Sequence, residues 1–563
     1  MISGTMDLPV RSLPRALERA ASEFPHRGIG LFDRRGRVSE RRSWSEVEAA
    51  AKSAAGRLTA AGVSAGDAVG VCLPTSWPWF DHWLGALLLG AHPLALAPGG
   101  PMGSAEASIR RIEAIAERLD LRLLVAADSL RRDAQALAAR ATAERTCTPA
   151  ELAELTAAPW RAVDPDADAL AYLQLTSGST GLPRAVEVTH RAAIHNVCAS
   201  DEAMGVPRGE ATRHWAQAMV SWLPLYHDMG LVGCMLLSMV AGFDLWLLPS
   251  RSFLARPRLW LDQLGRRGTT IAPAPNFGYQ LCLDRLAVDE LEGLDLSRWG
   301  AAMIGAEMIR PETMDGFLET FGPQGLSAAT LRPCYGLAEA TLAVTFDLLG
   351  EGVRSRPSPA ADGDQRVVCV GEAIADTELA VVAASGERLG EGDIGEILVR
   401  GPGVFKGYHR DPEATAEALR DGWLATGDLG FLEGGELYLT GRLKDLLIIR
   451  GQNIMPHELE WVAEELAGGG GVLRSGAFAV DRGAAGEQPV IVQETELREP
   501  AALAALEDEI RLAIGRRLSL PLADVVFVRR GKIPKTTSGK VQRRELRARY
   551  LSTQLESLGR DSS

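Results

Sequence analysis

The hydrophobic pattern of this chain changes partway along it. Over roughly the first 440 residues, helical patterns alternate with short runs that are apolar on both faces. The segment "SWSEVEAAAKSAAGRLTAAG" predicts a helix: a serine at the N-cap, a glutamate three residues after Ser45, and a closing glycine. "AVGVCLP", "HPLALAP", "LRLLVAA", "LAYLQLT" and "DLWLLP" predict strands. Strands apolar on both faces and separated by helices imply a parallel sheet covered on each side. From about Asp364, short runs such as "RVVCVGEAI", "ELAVVAASGERLG", "GEILVRGPGVFKGY" and "GELYLT" predict a small β-rich subdomain. Beyond "TGRLKD" the texture is α+β, and that segment is long enough to fold as a unit.

One apolar stretch, Gly230 to Pro249, approaches the length of a membrane span. Gly242 and Asp244 interrupt it, so it reads as a buried helix to about Val240, a glycine turn and a buried strand. A stable membrane span is not expected.

Composition adds exclusions. The 563 residues are 46% hydrophobic and 24% charged, which suits a protein with a sizeable core. A formal charge of −13 argues against nucleic acid or an anionic membrane as the main partner. The seven cysteines are scattered singly, which is neither a disulfide framework nor a zinc site, and the expected compartment is the reducing cytoplasm. The first 25 residues lack the apolar core of a signal peptide.

The first candidate for chemistry is "LQLTSGSTGLPRAVEVTH", Leu173 to His190. It lacks both G-x-x-x-x-G-K-[ST] and G-x-G-x-x-G, which excludes the usual nucleotide and dinucleotide loops. What remains is Thr176, Ser177, Ser179 and Thr180, with Gly178 and Gly181 allowing backbone N–H groups to approach an oxyanion. Arg184 adds a cation. Taken alone, the loop reads equally well as a Ser/Gly-rich surface loop.

Four further segments distinguish these readings: "RPCYGLAEAT", "WLATGDLGFLEGGELYLTGRLKD", "IIRGQNIMPHELE" and "GKIPKTTSGKVQRREL". In order and spacing they resemble the adenylate-forming superfamily of acyl-CoA synthetases, peptide-synthetase adenylation domains and luciferases. The resemblance covers essentially the whole chain. It implies an α/β fold: a large N-terminal domain, residues 1–443, of mostly parallel sheets packed by helices, with the β-rich subdomain at about 364–443. A smaller, mobile α+β C-terminal domain would span 444–563. It further implies that a carboxylate attacks the α-phosphate of ATP to give an acyl-adenylate.

On that resemblance, Thr176, Ser177, Gly178, Ser179, Thr180 and Gly181 hold the phosphates of ATP, and Glu339 helps hold Mg²⁺. Tyr335, followed by Gly336, lies against adenine. Asp428 accepts hydrogen bonds from the ribose, and Arg442 reaches the ribose and phosphates. Lys540 bridges carboxylate and phosphate during adenylation, so its removal would cost about 3 kcal/mol in that step. Lys444 occupies the hinge position. As plain alternatives, Asp428 is a turn residue, Glu339 a helix-start carboxylate, and Lys540 a solvated surface lysine.

"PLYHDMGL" with "APAPNFGY" resembles the fatty acyl-AMP ligases in particular, which implies a fatty acid substrate and transfer to an acyl carrier protein. Tyr226 and His227 stand near the position where amino-acid-activating relatives carry an aspartate for the substrate ammonium, which disfavours amino acids. Trp222, His227, Asn276 and Phe277 are the candidates for an acyl pocket, His227 serving either as a gate or as a core histidine. The chain departs from the family pattern at Arg184-Ala185, at "IGAEMI", and in a short "VTFDLLGEGVRSRPSPAADGDQ" where ligases carry a longer insertion. A fatty acyl-CoA ligase using free CoA is therefore the alternative. A non-catalytic homologue would have lost Lys540, Glu339 or Asp428, and all three are present. Asp128-Ser129 and Ser562 echo a carrier serine, but the first reads as a helix cap and the second has one residue after it. The carrier is expected to be a separate protein.

Overall fold

The computed structural model describes residues 6–99, 105–137, 139–176, 183–205, 218–267, 270–348, 350–359, 366–449, 452–468, 473–482, 486–518, 520–536 and 539–558. The doubly apolar runs form strands. Ala68–Cys72, His92–Ala95, Leu123–Ala126, Thr146–Cys147, Leu170–Leu175 and Ala185–Thr189 make a six-stranded sheet. Its pairings are parallel except the last, where Leu170–Leu175 runs against Ala185–Thr189. A nine-stranded sheet beside it has a parallel centre, including Ala218–Ser221, Asp244–Leu247 and Trp299–Ile304, and antiparallel margins. Every residue of Ala68–Cys72 and of Leu123–Ala126 is buried, as covered parallel strands require. One apolar core runs through both sheets and their helices.

Two local details differ from the sequence reading. The helix Trp44–Ala60 is capped by Ser43, not Ser45: Ser43 N–H donates to Glu46 Oε2 at 2.7 Å, and Glu46 N–H returns a bond to Ser43 Oγ. The core decides the register, because starting at Trp44 buries that indole completely. The stretch after Gly230 is helical to Ala241 and turns at Gly242 (φ 76°) into the strand Asp244–Leu247, but Leu231–Leu236 is wound as a π-helix. Among the described residues no helix is long and apolar enough to cross a membrane.

The β-rich region forms a five-stranded sheet built on Glu378–Val382, Gly395–Arg400, Trp423–Glu433 and Glu436–Arg442. It starts later than residue 364, because Glu372–Ala373 pairs instead with the nine-stranded sheet. After Leu443–Asp445, a 3₁₀ turn, the chain builds separate apolar clusters on the strands Ser475–Asp481, Glu487–Thr495 and Asp524–Arg529. The helices Pro456–Leu466, Pro500–Leu518 and Arg543–Leu551 pack with them.

Candidate active site

Residues from both parts of the chain line one cavity of about 1180 Å³, among them Thr176, Arg184, His227, Tyr335, Glu339, Arg442 and Lys540. Parallel pairing of His92–Ala95 with Leu170–Leu175 brings the C-terminal ends of both strands to the same edge. Thr176 N–H donates to Arg184 O at 2.9 Å, extending the antiparallel pairing of Leu175 with Ala185 by one step. Ser177, Gly178, Ser179, Thr180 and Gly181 lie outside the described residues. Arg184 stands 5.1 Å from the ring centre of Tyr408 and 3.6 Å from Asp411.

The pair Asp428 and Arg442 comes from a hairpin. Its strands turn through Gly434 and Gly435, both at positive φ, which glycine adopts without strain. A one-residue shift between Leu429 and Gly430 then puts Asp428 directly opposite Arg442. Arg442 Nε donates to Asp428 Oδ1 at 2.6 Å, and the Tyr335 hydroxyl donates to Asp428 Oδ2 at 2.7 Å. Asp428 is buried, so these donors compensate its lost hydration. The neighbouring Asp428 charge pushes the Arg442 pKa up, while burial first and Asp428 second push the Tyr335 phenol well above its ordinary value. Each carboxylate oxygen has a further lone pair that can accept a bond from a diol.

Glu339 sits in the 3₁₀ turn Ala338–Ala340. The Tyr408 hydroxyl donates to its Oε1 at 2.8 Å, and burial raises its pKa against that bond. The next residue but one, Thr341, has φ 68°, with Leu342 N–H closing onto Ala340 O at 2.8 Å. This is a strained three-residue turn. Thr341 Oγ1 donates to Gly403 O at 2.7 Å to hold it. Asn196, fully buried on the helix His190–Ala203, adds three bonds: Nδ2 to Ala340 O and Ala343 O, and Oδ1 from Ala343 N–H. Gly336 is required on steric grounds, because a Cβ there would come 1.8 Å from Leu342 O.

Lys540 reaches the same cavity from a turn in which Thr536 N–H donates to Lys540 O at 2.8 Å and Lys540 N–H to Thr536 Oγ1 at 3.1 Å. Burial first, then the Arg442 charge, lower its pKa; the carboxylates of Asp228, Asp428 and Glu307 oppose this. Lys444 lines the cavity, and its neighbour Asp445 accepts a 2.7 Å bond from Arg543.

The acyl-pocket candidates separate. His227 is on the cavity wall, its Nδ1 2.7 Å from Asp228 Oδ1. Trp222, Asn276 and Phe277 are not. Trp222 is stacked on Phe253 at 3.9 Å within an aromatic cluster. Asn276 Oδ1 accepts from Arg310 N–H at 3.0 Å, and Phe277 N–H donates to Glu307 Oε1 at 2.6 Å, beside the C-terminal residues Arg474 and Glu464. Trp222 and Phe277 go into aromatic packing, and Asn276 into holding the Arg310 backbone. The apolar residues that do line the cavity include Met229, Gly233, Leu237, Cys334 and Leu342.

Sequence reasoning missed Tyr408, Asn196 and Arg111. Arg111, on Ala105–Arg118, reaches the cavity wall, and burial lowers its pKa. None of the three sits in a motif; Tyr408 was read only as the end of a β-rich run.

Residues 17–409 match the AMP-binding enzyme family. A putative acyl-CoA synthetase of Caulobacter vibrioides is 35% identical over 560 residues, covering 96% of this chain and 95% of that protein. The long-chain-fatty-acid–AMP ligase FadD26 of Mycobacterium marinum is 34% identical over 590 residues, covering 97% and 98%. The medium-chain-fatty-acid–[acyl-carrier-protein] ligase JamA of Moorena producens is 35% identical over 425 residues, or 70% of each chain. A solved structure from a study of fatty acyl-adenylate ligases from E. coli and L. pneumophila superposes with a TM-score of 0.86 at 28% identity, over 97% of this chain and 100% of that one.

Proposed function

The chain belongs to the AMP-binding enzyme family, and from that premise we propose that it activates a fatty carboxylic acid with ATP and passes the acyl group to the thiol of a carrier protein. One observation carries this reading: Thr176, Glu339, Arg442 and Lys540 line one cavity, Arg442 paired there with Asp428, and the apolar residues Met229, Gly233 and Leu237 line the same cavity. A carboxylate oxygen attacks the α-phosphorus of ATP, the bond to the bridging oxygen breaks, and pyrophosphate leaves with the electron pair. Negative charge accumulates as this happens. Lys540 and Arg442 supply fixed cations where it develops, and Asp428 orients the ribose. The thiol sulfur then attacks the acyl carbonyl carbon, AMP departs, and the thiol proton is lost to solvent.

Among the described residues no group of three or more His, Cys, Asp or Glu side chains could hold a metal by itself. A hard divalent ion bound through one carboxylate and substrate phosphates needs no such group. Glu339 fits that role, because burial makes its charge costly without a nearby cation. Magnesium held there would neutralise phosphate charge. Tyr408 fixes the carboxylate, and the strained turn at Thr341 fixes the backbone beneath it.

Two observations support a second reading, in which free CoA is the acceptor. The segment 344–365 is short, and the Caulobacter relative is described as an acyl-CoA synthetase. The test is to incubate the protein with ATP, Mg²⁺ and a series of fatty acids, then chase with CoA or a pantetheinylated carrier protein and follow products by mass. Acyl-AMP that persists with CoA and moves to the carrier supports the first reading. Rapid acyl-CoA formation replaces it with the second, and no acyl-AMP from any acid overturns both.

A further inference from the structure

The residues that left the acyl pocket lead to a different site. Arg310 precedes the helix Pro311–Phe321, and its backbone is fixed by the bond to Asn276. Its guanidinium crosses to the C-terminal part, where it donates to Glu464 Oε2 and lies 4.8 Å from the ring centre of Trp461. Glu464 is almost fully buried, and its other oxygen accepts from Ser475 N–H at 2.9 Å. A second arm runs in the opposite direction. Arg474 reaches back to Glu307 at 4.0 Å and to the Phe277 ring at 5.9 Å, while Glu307 Oε1 is held by Phe277 N–H.

These are two reciprocal cation arms, each with a carboxylate and an aromatic face on the other side. They flank Ala306, at φ 66°, which itself lines the cavity. Glu307 is also close enough for Lys540 to feel its charge. A buried ion pair contributes little net stability against an apolar replacement, yet breaking one partner is costly because the other is left uncompensated. Such pairs suit a device that specifies one arrangement over another.

We propose that Arg310 with Glu464 and Trp461, and Arg474 with Glu307 and Phe277, form a clasp that positions Lys540 for adenylation and opens for thiol transfer. These are positioning residues, acting through Lys540. The proposal rests on the reading that the chain forms an acyl-adenylate. Because a ligand can shift two arrangements only by its differential affinity for them, losing the clasp taxes the step that needs the closed one and spares the other.

The experiment uses Arg310→Gln, with Arg310→Lys as the conservative variant and Trp461→Leu as an independent lesion of the same arm. Adenylation is read by ATP–pyrophosphate exchange with dodecanoate. Transfer is read from added dodecanoyl-adenylate to pantetheine, the thiol arm that both candidate acceptors share. Dyes on cysteines placed at the exposed Glu391 and Glu509 report the distance between the two parts without substrate. The expected result is a loss of about tenfold or more in exchange for Arg310→Gln and Trp461→Leu, unchanged or faster transfer, a broadened dye distance, and partial recovery in Arg310→Lys. Equal losses in both half-reactions, or no change in exchange or dye distance, would overturn the clasp. If the wild type makes no adenylate, the functional reading fails while the dye distance still decides on the clasp.

Discussion

The Tyr408 hydroxyl donates a 2.8 Å hydrogen bond to Glu339 Oε1, and both residues line the cavity. Burial raises the Glu339 pKa and this bond opposes it. A raised carboxyl favours the folded state when protonated, and that contribution is lost as pH rises through the folded value. Glu339→Gln is therefore expected to raise the melting temperature of the ligand-free protein at about pH 7, with no gain at about pH 4. It should lower adenylation by about 100-fold. Calorimetry across pH checks the first expectation, and equal shifts at both pH values would refute it. Tyr408→Phe removes the opposing bond, so the acid limb of the adenylation profile should move to higher pH.

Asp428 is held by two donors of unequal charge. Asp428→Asn leaves Arg442 without its carboxylate and should raise the KM for ATP by roughly 10- to 100-fold, the scale of 1.5–3 kcal/mol for a charged hydrogen bond. Tyr335→Phe removes a hydroxyl and should cost about 1 kcal/mol. In both variants the KM for the fatty acid stays put. A rise in that value instead would place Asp428 on the acyl side.

Lys540 has its pKa lowered by burial and by Arg442. It must be protonated to serve as a cation, so the alkaline limb of the adenylation rate should fall below the ordinary lysine range. Lys540→Ala should lose about 100-fold or more in exchange, while transfer from supplied acyl-adenylate persists. Lys540→Arg keeps the charge and should move the alkaline limb upward; an unmoved limb would assign it to another group.

Gly233 lies on the π-helical turn facing the cavity, and a Cβ there would meet Leu342 Cδ2 at 2.9 Å. Gly233→Leu is expected to narrow the cavity beside Leu342. Activity with long-chain acids should fall by at least about tenfold relative to short ones, the scale of one or two lost methylene contacts. A uniform loss across chain lengths would mean that the acyl chain runs elsewhere.

Asn196→Ala removes three hydrogen bonds at once and leaves the Ala343 N–H without its acceptor, while Ala340 O keeps only the bond from Leu342 N–H. The expected cost is about 2–3 kcal/mol in the denaturant transition of the large domain. Adenylation should fall with it, because the strained turn carries Glu339. Unchanged stability would mean that the Thr341–Gly403 bond suffices to hold the turn.

Legibility in the sequence followed the range of the interaction. The strands and the glycine turn at Gly242 were readable because apolar runs and positive-φ glycine act over a few neighbours. The hairpin carrying Asp428 and Arg442 was marked by the glycines at 434 and 435. Its one-residue shift, which puts the two residues opposite each other, had no local signal. Trp222, Asn276 and Phe277, taken as pocket candidates on the family resemblance, likewise carried no local signal that separates a pocket from a packing cluster or an inter-part contact: only their neighbours in space decide.

The sequence by itself therefore determined the order of layers and the chemical groups available, because periodicity, turn residues and motif spacing are written along the chain. The tertiary structure alone decided what those groups touch. Tyr408 reaches Glu339 69 residues away, Asn196 clamps a turn 144 residues away, and Arg310 meets Glu464 154 residues on. Contacts of that kind depend on how sheets and helices pack as bodies, and no local pattern encodes which side chain a distant one will face.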